Sequence, residues 1–177
     1  MKKLVLAVLC IFCLSMVCMA ADKDDITVFK ASLHGINENP PNSTPGTGSF
    51  KAVMQPDGTI TFTLTFANLT ANAAAAHIHF GRPNASGGVM IWLCGGPAAT
   101  MTPAWPAATS GTVTGSIVAA NVTGPVAQGV TAGDLAKALK LVEGGTGYVN
   151  IHNANFPAGE IRGQVHSFRE DPDKDDK

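Results

Sequence analysis

Alternation of apolar and polar residues recurs along the chain and predicts β-strands. The clearest case is 59–66, where Ile, Phe and Leu occupy one face and threonines occupy the other. The same pattern, or a short apolar run, predicts further strands over 27–33, 49–54, 76–81, 89–94, 111–119, 148–152 and 160–165. Turns rich in glycine, proline and asparagine separate these segments, which is typical of antiparallel connections.

One segment has helical periodicity. Leu135, Leu139 and Val142 recur at spacings of four and three residues, which places them on one face of a helix. Thr131 is the predicted N-cap, and Gly144-Gly145 is the predicted end. About eight short strands and one short helix predict an all-β domain, an antiparallel β-sandwich or flattened barrel.

The first twenty residues have the composition of a signal peptide. Lys2 and Lys3 precede the apolar run 4–17, and Cys18-Met19-Ala20 forms a small-residue cleavage site. The run is too short to span a bilayer comfortably, and no other stretch approaches eighteen apolar residues, so we expect a secreted or periplasmic protein without a membrane span. The predicted boundaries are a signal peptide at 1–20, a charged N-terminal segment at 21–27, one folded domain at 28–166 and a charged disordered tail at 167–177.

Cysteine and charge restrict the function further. Of the four cysteines, only Cys94 lies outside the predicted signal peptide, so the domain has no internal disulfide. We expect a buried inert thiol there; a cysteine on another chain or soft metal ligation is the alternative. The net charge is −1, and no basic patch interrupts the apolar alternation, so nucleic acid is not an expected partner.

Histidines on the predicted strands are the candidate chemistry. His77 and His79 share one strand face, about 6.5–7 Å apart at Cα, close enough to bind one metal ion. His152 lies on a later predicted strand, and a neighbouring strand could bring it to the same place. Imidazole suits copper and zinc, and the Irving–Williams order favours copper. Structural or solvent-facing histidines are the alternative.

Other chemistries have less support in the sequence. There is no Gly-X-Ser-X-Gly elbow and no glycine-rich phosphate loop, so we predict no catalytic residues. Glu160 and Arg162 share a predicted strand face and are expected to pair with each other or across strands. His34 is a possible fourth ligand, and His166 is expected to be exposed.

Five segments of the chain carry a family resemblance. They are FKASLHGINENPP (29–41), AHIHFG (76–81), WLC (92–94), GYVNIH (147–152) and PAGEIRGQV (157–165). Together they resemble the CHRD domain, which is repeated in chordin and found singly in many exported bacterial proteins. The resemblance covers roughly 28–166 and implies one CHRD domain there.

The two histidine strands are also similar to the copper-binding strands of copper–zinc superoxide dismutase, a Greek-key β-barrel. That resemblance implies Greek-key connectivity and copper ligation by His77, His79 and His152. It loosely places Arg162 at the position of that enzyme's anion-guiding arginine. The bridging histidine, the zinc ligands and the disulfide of that enzyme are missing from this sequence.

Three hypotheses follow. The first is an exported module that binds copper, or else zinc, through the three histidines. The second is a copper enzyme similar to superoxide dismutase, and the third is a metal-free extracellular interaction or structural domain. The first is favoured, and the sequence names no protein partner and no oligomeric state.

Overall fold

A computed structural model describes residues 26–95 and 103–170. Nine strands form one sheet, and one α-helix, α1 (Leu135–Glu143), packs against it. The strands are β1 (Ile26–His34), β2 (Thr47–Met54), β3 (Ile60–Ala67), β4 (Ala73–Phe80), β5 (Gly88–Gly95), β6 (Gly111–Ser116), β7 (Gly147–Asn153), β8 (Ile161–Gln164) and β9 (His166–Glu170).

The sheet curves into a nearly closed antiparallel barrel. Its strand order is β5-β4-β7-β8-β1-β2-β3-β6, and β9 pairs with β1 beside β8. A single bridge between Ile91 and Val122 links β5 to the segment that follows β6. The predicted all-β antiparallel fold with one short helix is therefore confirmed. Strands far apart in sequence, such as β4 and β7, are neighbours, as Greek-key connectivity requires.

The core follows from the alternation seen in the sequence. Along β3 the apolar residues are buried and the threonines between them are exposed. The apolar face of β4 and β7 also enters the core, through Ile78, Val149 and Ile151. Since neighbouring side chains in a strand point to opposite faces, the histidines of β4 lie on the outer face of the barrel.

Loops cover this outer face, so its polar side chains are buried. The Asn42 and Asn37 side chains of the loop after β1 donate to the Glu160 and Arg162 carbonyls, at 2.9 Å and 3.1 Å. Arg162 in turn donates to two carbonyls of the loop after β4. A third loop, between β7 and β8, receives a hydrogen bond from His152. The result is a second, polar interior outside the apolar core.

The helix begins later than the sequence indicated. Asp134, not Thr131, is the N-cap, since its side chain accepts from the Lys137 backbone N–H at 3.1 Å. Thr131 lies in the preceding turn, where its carbonyl accepts from the Asp134 N–H. Val142 is buried on the helix face toward the sheet, and the helix ends at Glu143 with Gly144 as its C-cap, as predicted. No helix in the described ranges is long and apolar enough to cross a membrane.

The ends of the domain differ from the predicted boundaries. β1 begins at Ile26, inside the expected charged segment 21–27, and residues 167–170 belong to β9 rather than to a disordered tail. β9 continues the line of β8 past Val165 and pairs with β1 from Lys30↔His166 to Ile26↔Glu170. The prediction of a disordered tail rested on the charged residues of this segment, but an exposed strand tolerates Arg169 and Glu170. The predicted signal peptide and residues 171–177 lie outside the described residues.

Removing β9 tests its structural role. A chain that ends at residue 165 loses five paired positions on β1. We expect its free energy of unfolding to fall by about 2–3 kcal/mol, since each net backbone hydrogen bond contributes about 1 kcal/mol. Urea denaturation measures the difference. The control is a chain that ends at residue 170; equal stability of the two chains would show that β9 is dispensable.

Candidate metal centre

The structure brings the three predicted histidines together. His77 and His79 lie on β4, and His152 lies diagonally from His77 on β7, because Asn150 is the direct partner of His77 and Ala75 that of His152. One ring nitrogen of each histidine lies within 4.8 Å of the others. The His77 Nδ1 and His79 Nε2 atoms are 3.0 Å apart. Imidazoles on two neighbouring strands thus form one cluster.

Backbone carbonyls fix the protonation of two of these rings. His79 Nδ1 donates to the Gly87 carbonyl at 2.9 Å, and His152 Nδ1 donates to the Pro157 carbonyl at 3.0 Å. A carbonyl oxygen only accepts, so each Nδ1 carries the hydrogen and each neutral ring has its lone pair on Nε2. Such a contact is the usual support of a metal-binding histidine.

Burial keeps the cluster uncharged. Burial, together with smaller effects of the neighbouring His152 and His79, lowers the pKa of His77 to about 3. Burial likewise lowers the pKa of His79 to about 4, against the opposing effect of its bond to Gly87. The pKa of His152 is also lowered, by burial. At neutral pH the three rings are therefore neutral, each with one N–H and one lone pair, which is the form that binds a metal.

One buried ring nitrogen of the cluster has no hydrogen-bond partner among the described residues. His152 Nε2 is buried and makes no hydrogen bond within the described residues. An unsatisfied buried polar atom costs roughly 1–3 kcal/mol, and a bound cation would satisfy it. The residues present therefore fit a metal ion that prefers nitrogen, such as copper or zinc.

Aromatic rings enclose the imidazoles. Trp92 on β5 meets His77 edge-on, with ring centroids 4.3 Å apart and planes inclined by 80°. Tyr148 on β7 stacks on His79, with centroids 4.8 Å apart and planes inclined by 4°. These contacts leave His77 and His79 only 6 % and 9 % exposed. Packing against Trp92 and Tyr148 holds these two rings in fixed orientations, and a metal ion requires ligands that are fixed in this way.

Cys94 does not join the cluster. It pairs with Ala76 on β4 and belongs to the apolar core, on the opposite face of the sheet from the histidines. Burial raises the pKa of its thiol to about 12. This buried position in the apolar core agrees with the predicted buried, inert thiol.

The other candidate residues have separate places. Glu160 and Arg162 do not pair with each other: the fully buried Glu160 carboxylate accepts from the Thr70 backbone at 3.0 Å and from the Asn153 amide. Glu160 thereby closes the loop that carries Pro157. His34 lies at the end of β1, 3.1 Å from the Ser32 hydroxyl, and is not in the cluster. His166 is exposed, as expected.

Sequence reasoning missed the residues that support the cluster. Gly87 accepts from His79 and also donates its N–H to the Tyr148 hydroxyl at 3.2 Å. An added Cβ at this glycine would lie 1.8 Å from the Phe80 carbonyl oxygen, so no other residue fits without a shift of the loop. Carbonyl acceptors have no signature in a single sequence; the glycine pair that ends the turn after β4 was the one available signal.

The comparisons with known proteins agree with the segments singled out above. A model of the CHRD domain matches residues 29–165. The chain belongs to the CHRD domain family. The match spans β1 to β8 and includes all three histidines of the cluster, so the candidate metal centre lies within the CHRD domain itself. No curated protein and no solved structure matches this CHRD chain.

Gly87→Ala tests the support of His79. The methyl group forces the loop away from Phe80, and the loss of the His79 and Tyr148 contacts should lower the free energy of unfolding by about 2–4 kcal/mol. Nitrogen NMR of the His79 ring should also show loss of the fixed Nδ1–H form. Ser86→Ala, on the same loop but exposed, loses only the 3.4 Å contact from the Asn39 amide and is the control that should keep the wild-type His79 tautomer. An unchanged His79 tautomer in Gly87→Ala would contradict this role.

Glu38 gives the domain a pH dependence. Burial raises the pKa of this carboxyl to about 7, against the opposing effects of Arg162 and Asn150. The folded state holds a proton that the unfolded state releases above pH 4.5, so this contribution to stability is complete below pH 4.5 and disappears as the pH rises through 7.

We therefore expect Glu38→Gln to gain stability relative to the wild type between pH 5 and 8, by about 1–2 kcal/mol after allowance for solvent screening. Denaturation curves over this pH range measure the gain. Glu143→Gln, at an exposed position on α1, should follow the wild type. A constant difference between Glu38→Gln and wild type at every pH would contradict the raised pKa.

Proposed function

We propose that this CHRD domain is a copper-binding module of an exported protein, with His77, His79 and His152 as ligands. One observation carries the proposal. His79 and His152 hold their hydrogens on Nδ1 against carbonyls, one ring nitrogen of each of the three histidines lies within 4.8 Å of the others, and His152 Nε2 has no partner among the described residues. A purely structural cluster would be expected to pair that atom.

The donor set favours copper. Three neutral imidazoles without a carboxylate suit copper or zinc and do not suit calcium or magnesium, which require oxygen. Copper binds nitrogen sites more tightly than zinc in the Irving–Williams order, so zinc is the second candidate. When bound, copper would supply one-electron chemistry or serve as stored cargo. The chain holds the three rings, fixes the tautomers of His79 and His152, and packs Trp92 and Tyr148 against His77 and His79.

Export is consistent with such a role. The N-terminal 1–20 segment has signal-peptide composition, and we place the domain in the periplasm or outside the cell. The partner that we propose is the metal ion; no described surface identifies a protein partner, and nucleic acid remains an unexpected one.

We do not extend the proposal to dismutase chemistry. An enzyme of that kind needs an open route for superoxide to the metal and a cation beside that route. Arg162 is 3 % exposed, and its guanidinium lies 3.5 Å from the Tyr148 ring centroid. Because β7 lies between β4 and β8, the Tyr148 ring separates this guanidinium from His79. The geometry supports a binding module better than an enzyme.

Copper titration tests the proposal. The purified protein should bind one Cu(II) per chain with the electron paramagnetic resonance signature of nitrogen ligands. Copper at about 100 times its dissociation constant should stabilise the protein by about 2.7 kcal/mol, because only the folded state has the site. Isothermal titration calorimetry and thermal melts measure both quantities.

Matched histidine variants decide the location. His152→Ala and the double variant His77→Ala/His79→Ala should lose binding, whereas His34→Ala and His166→Ala, which lie outside the cluster, should retain it. Undiminished copper binding in the double variant would refute the site. If the wild type gains no stability from copper or zinc, the metal-free interaction domain replaces this proposal.

A further inference from the structure

A hydrogen bond joins two rings of the histidine cluster to each other. His79 holds its own hydrogen on Nδ1, where the Gly87 carbonyl accepts it at 2.9 Å, so the Nε2 atom of this neutral ring can only accept. The atom that lies 3.0 Å from His79 Nε2 is His77 Nδ1. His77 Nδ1 therefore carries the hydrogen of its ring and donates it to His79.

This hydrogen bond uses a lone pair that a metal ion needs. The neutral His79 ring has one lone pair for coordination, on Nε2, because its Nδ1 is committed to Gly87. His77 in turn directs a hydrogen, not a lone pair, toward His79. In the metal-free protein the His77–His79 half of the cluster is therefore closed to a cation.

The spacing of the two nitrogens decides which atom of His77 can bind the ion. Two nitrogens that each lie about 2.0–2.1 Å from one ion are about 3–4 Å apart. His77 Nδ1 already lies 3.0 Å from His79 Nε2. His77 Nε2 is on the other side of the same ring and points away from His79, so it cannot share an ion with His79 Nε2 while the ring keeps its place.

Packing keeps the His77 ring in that place. Its centroid lies 4.3 Å from that of Trp92 and 4.6 Å from that of His152, and the residue is 6 % exposed. A rotation large enough to present Nε2 to His79 would have to displace these neighbours. A change of tautomer moves one proton only.

The other nitrogen of His77 can take that proton. His77 Nε2 makes no hydrogen bond to the described residues, and it is not among their buried atoms that lack a partner, whereas His152 Nε2 is. Water at the exposed edge of the His77 ring can therefore exchange a proton with Nε2 and accept from it afterwards.

We propose that the His77–His79 hydrogen bond holds the metal-free centre closed and is given up on metal binding through a change of the His77 tautomer. His77 Nδ1 gives its proton to water, and Nε2 takes one proton from water, so no net proton is released. The lone pairs of His77 Nδ1, His79 Nε2 and His152 Nε2 are then free for the ion. This inference rests on the proposed function, since the same three rings are the ligands.

Nitrogen NMR of the histidine rings tests the inference in two steps. In the metal-free protein, all three rings should show the Nδ1–H form. After one equivalent of Zn(II), or of Cu(I) without oxygen, His77 should change to the Nε2–H form with a metal-bound Nδ1, while His79 and His152 keep Nδ1–H. Both ions are diamagnetic, so the ring signals stay visible.

Methylated histidines at position 77 provide a matched pair of variants. Nε2-methylhistidine has no Nδ1–H and therefore no closing hydrogen bond, so we expect it to bind zinc or copper about fivefold more tightly than the wild type. Nδ1-methylhistidine blocks the proposed ligand atom and should lose metal binding. His34→Ala, outside the cluster, should bind like the wild type.

The outcomes separate this inference from the proposed function. Absence of both zinc and copper binding refutes the two together. Metal bound while His77 keeps Nδ1–H, undiminished binding by the Nδ1-methyl variant, or unchanged affinity of the Nε2-methyl variant overturns this inference and leaves the metal site in place. The spectra of the wild type decide the matter if a methylated variant does not fold.

Discussion

The burial of a polar sheet face is the constraint on which this domain depends. The apolar faces of β4, β7 and β8 close the core, and their outer faces carry histidine, tyrosine, asparagine and arginine under three loops. A buried polar group without a hydrogen-bond partner costs about as much free energy as several favourable contacts contribute, so most of these groups are paired. The loops supply those partners largely through backbone carbonyls, and they order the side chains that they cover.

The loops and the polar face therefore specify each other. Gly87 and Pro157 orient the imidazoles of His79 and His152, and the Glu160 carboxylate closes the loop that presents Pro157. Gly87 serves this purpose because the backbone passes too close to Phe80 for a side chain. His152 Nε2 is one of five buried side-chain atoms without a partner in the described residues, and it is the one that belongs to the histidine cluster.

Tyr148 lies between the histidine cluster and the buried Arg162 guanidinium. Its ring stacks on His79 at 4.8 Å, and the Arg162 guanidinium lies 3.5 Å from the ring centroid. The ring holds the guanidinium by a cation–π contact, and the charge of Arg162 still helps to lower the pKa of His79. The arrangement places the histidine cluster of β4 and β7 beside a buried guanidinium on β8 that backbone carbonyls hold.

The sequence by itself determined the periodicity of the strands, the one helix, and the presence of His77, His79 and His152 on strands, because side-chain alternation follows from backbone geometry alone. Tertiary structure decided what alternation leaves open. Strand pairing across 70 residues and more set His152 beside His77, the pairing of β9 with β1 included a charged segment in the sheet, and loop closure chose the carbonyls and Tyr148 as supports. These features depend on contacts between residues far apart in the sequence, which a local sequence pattern does not encode.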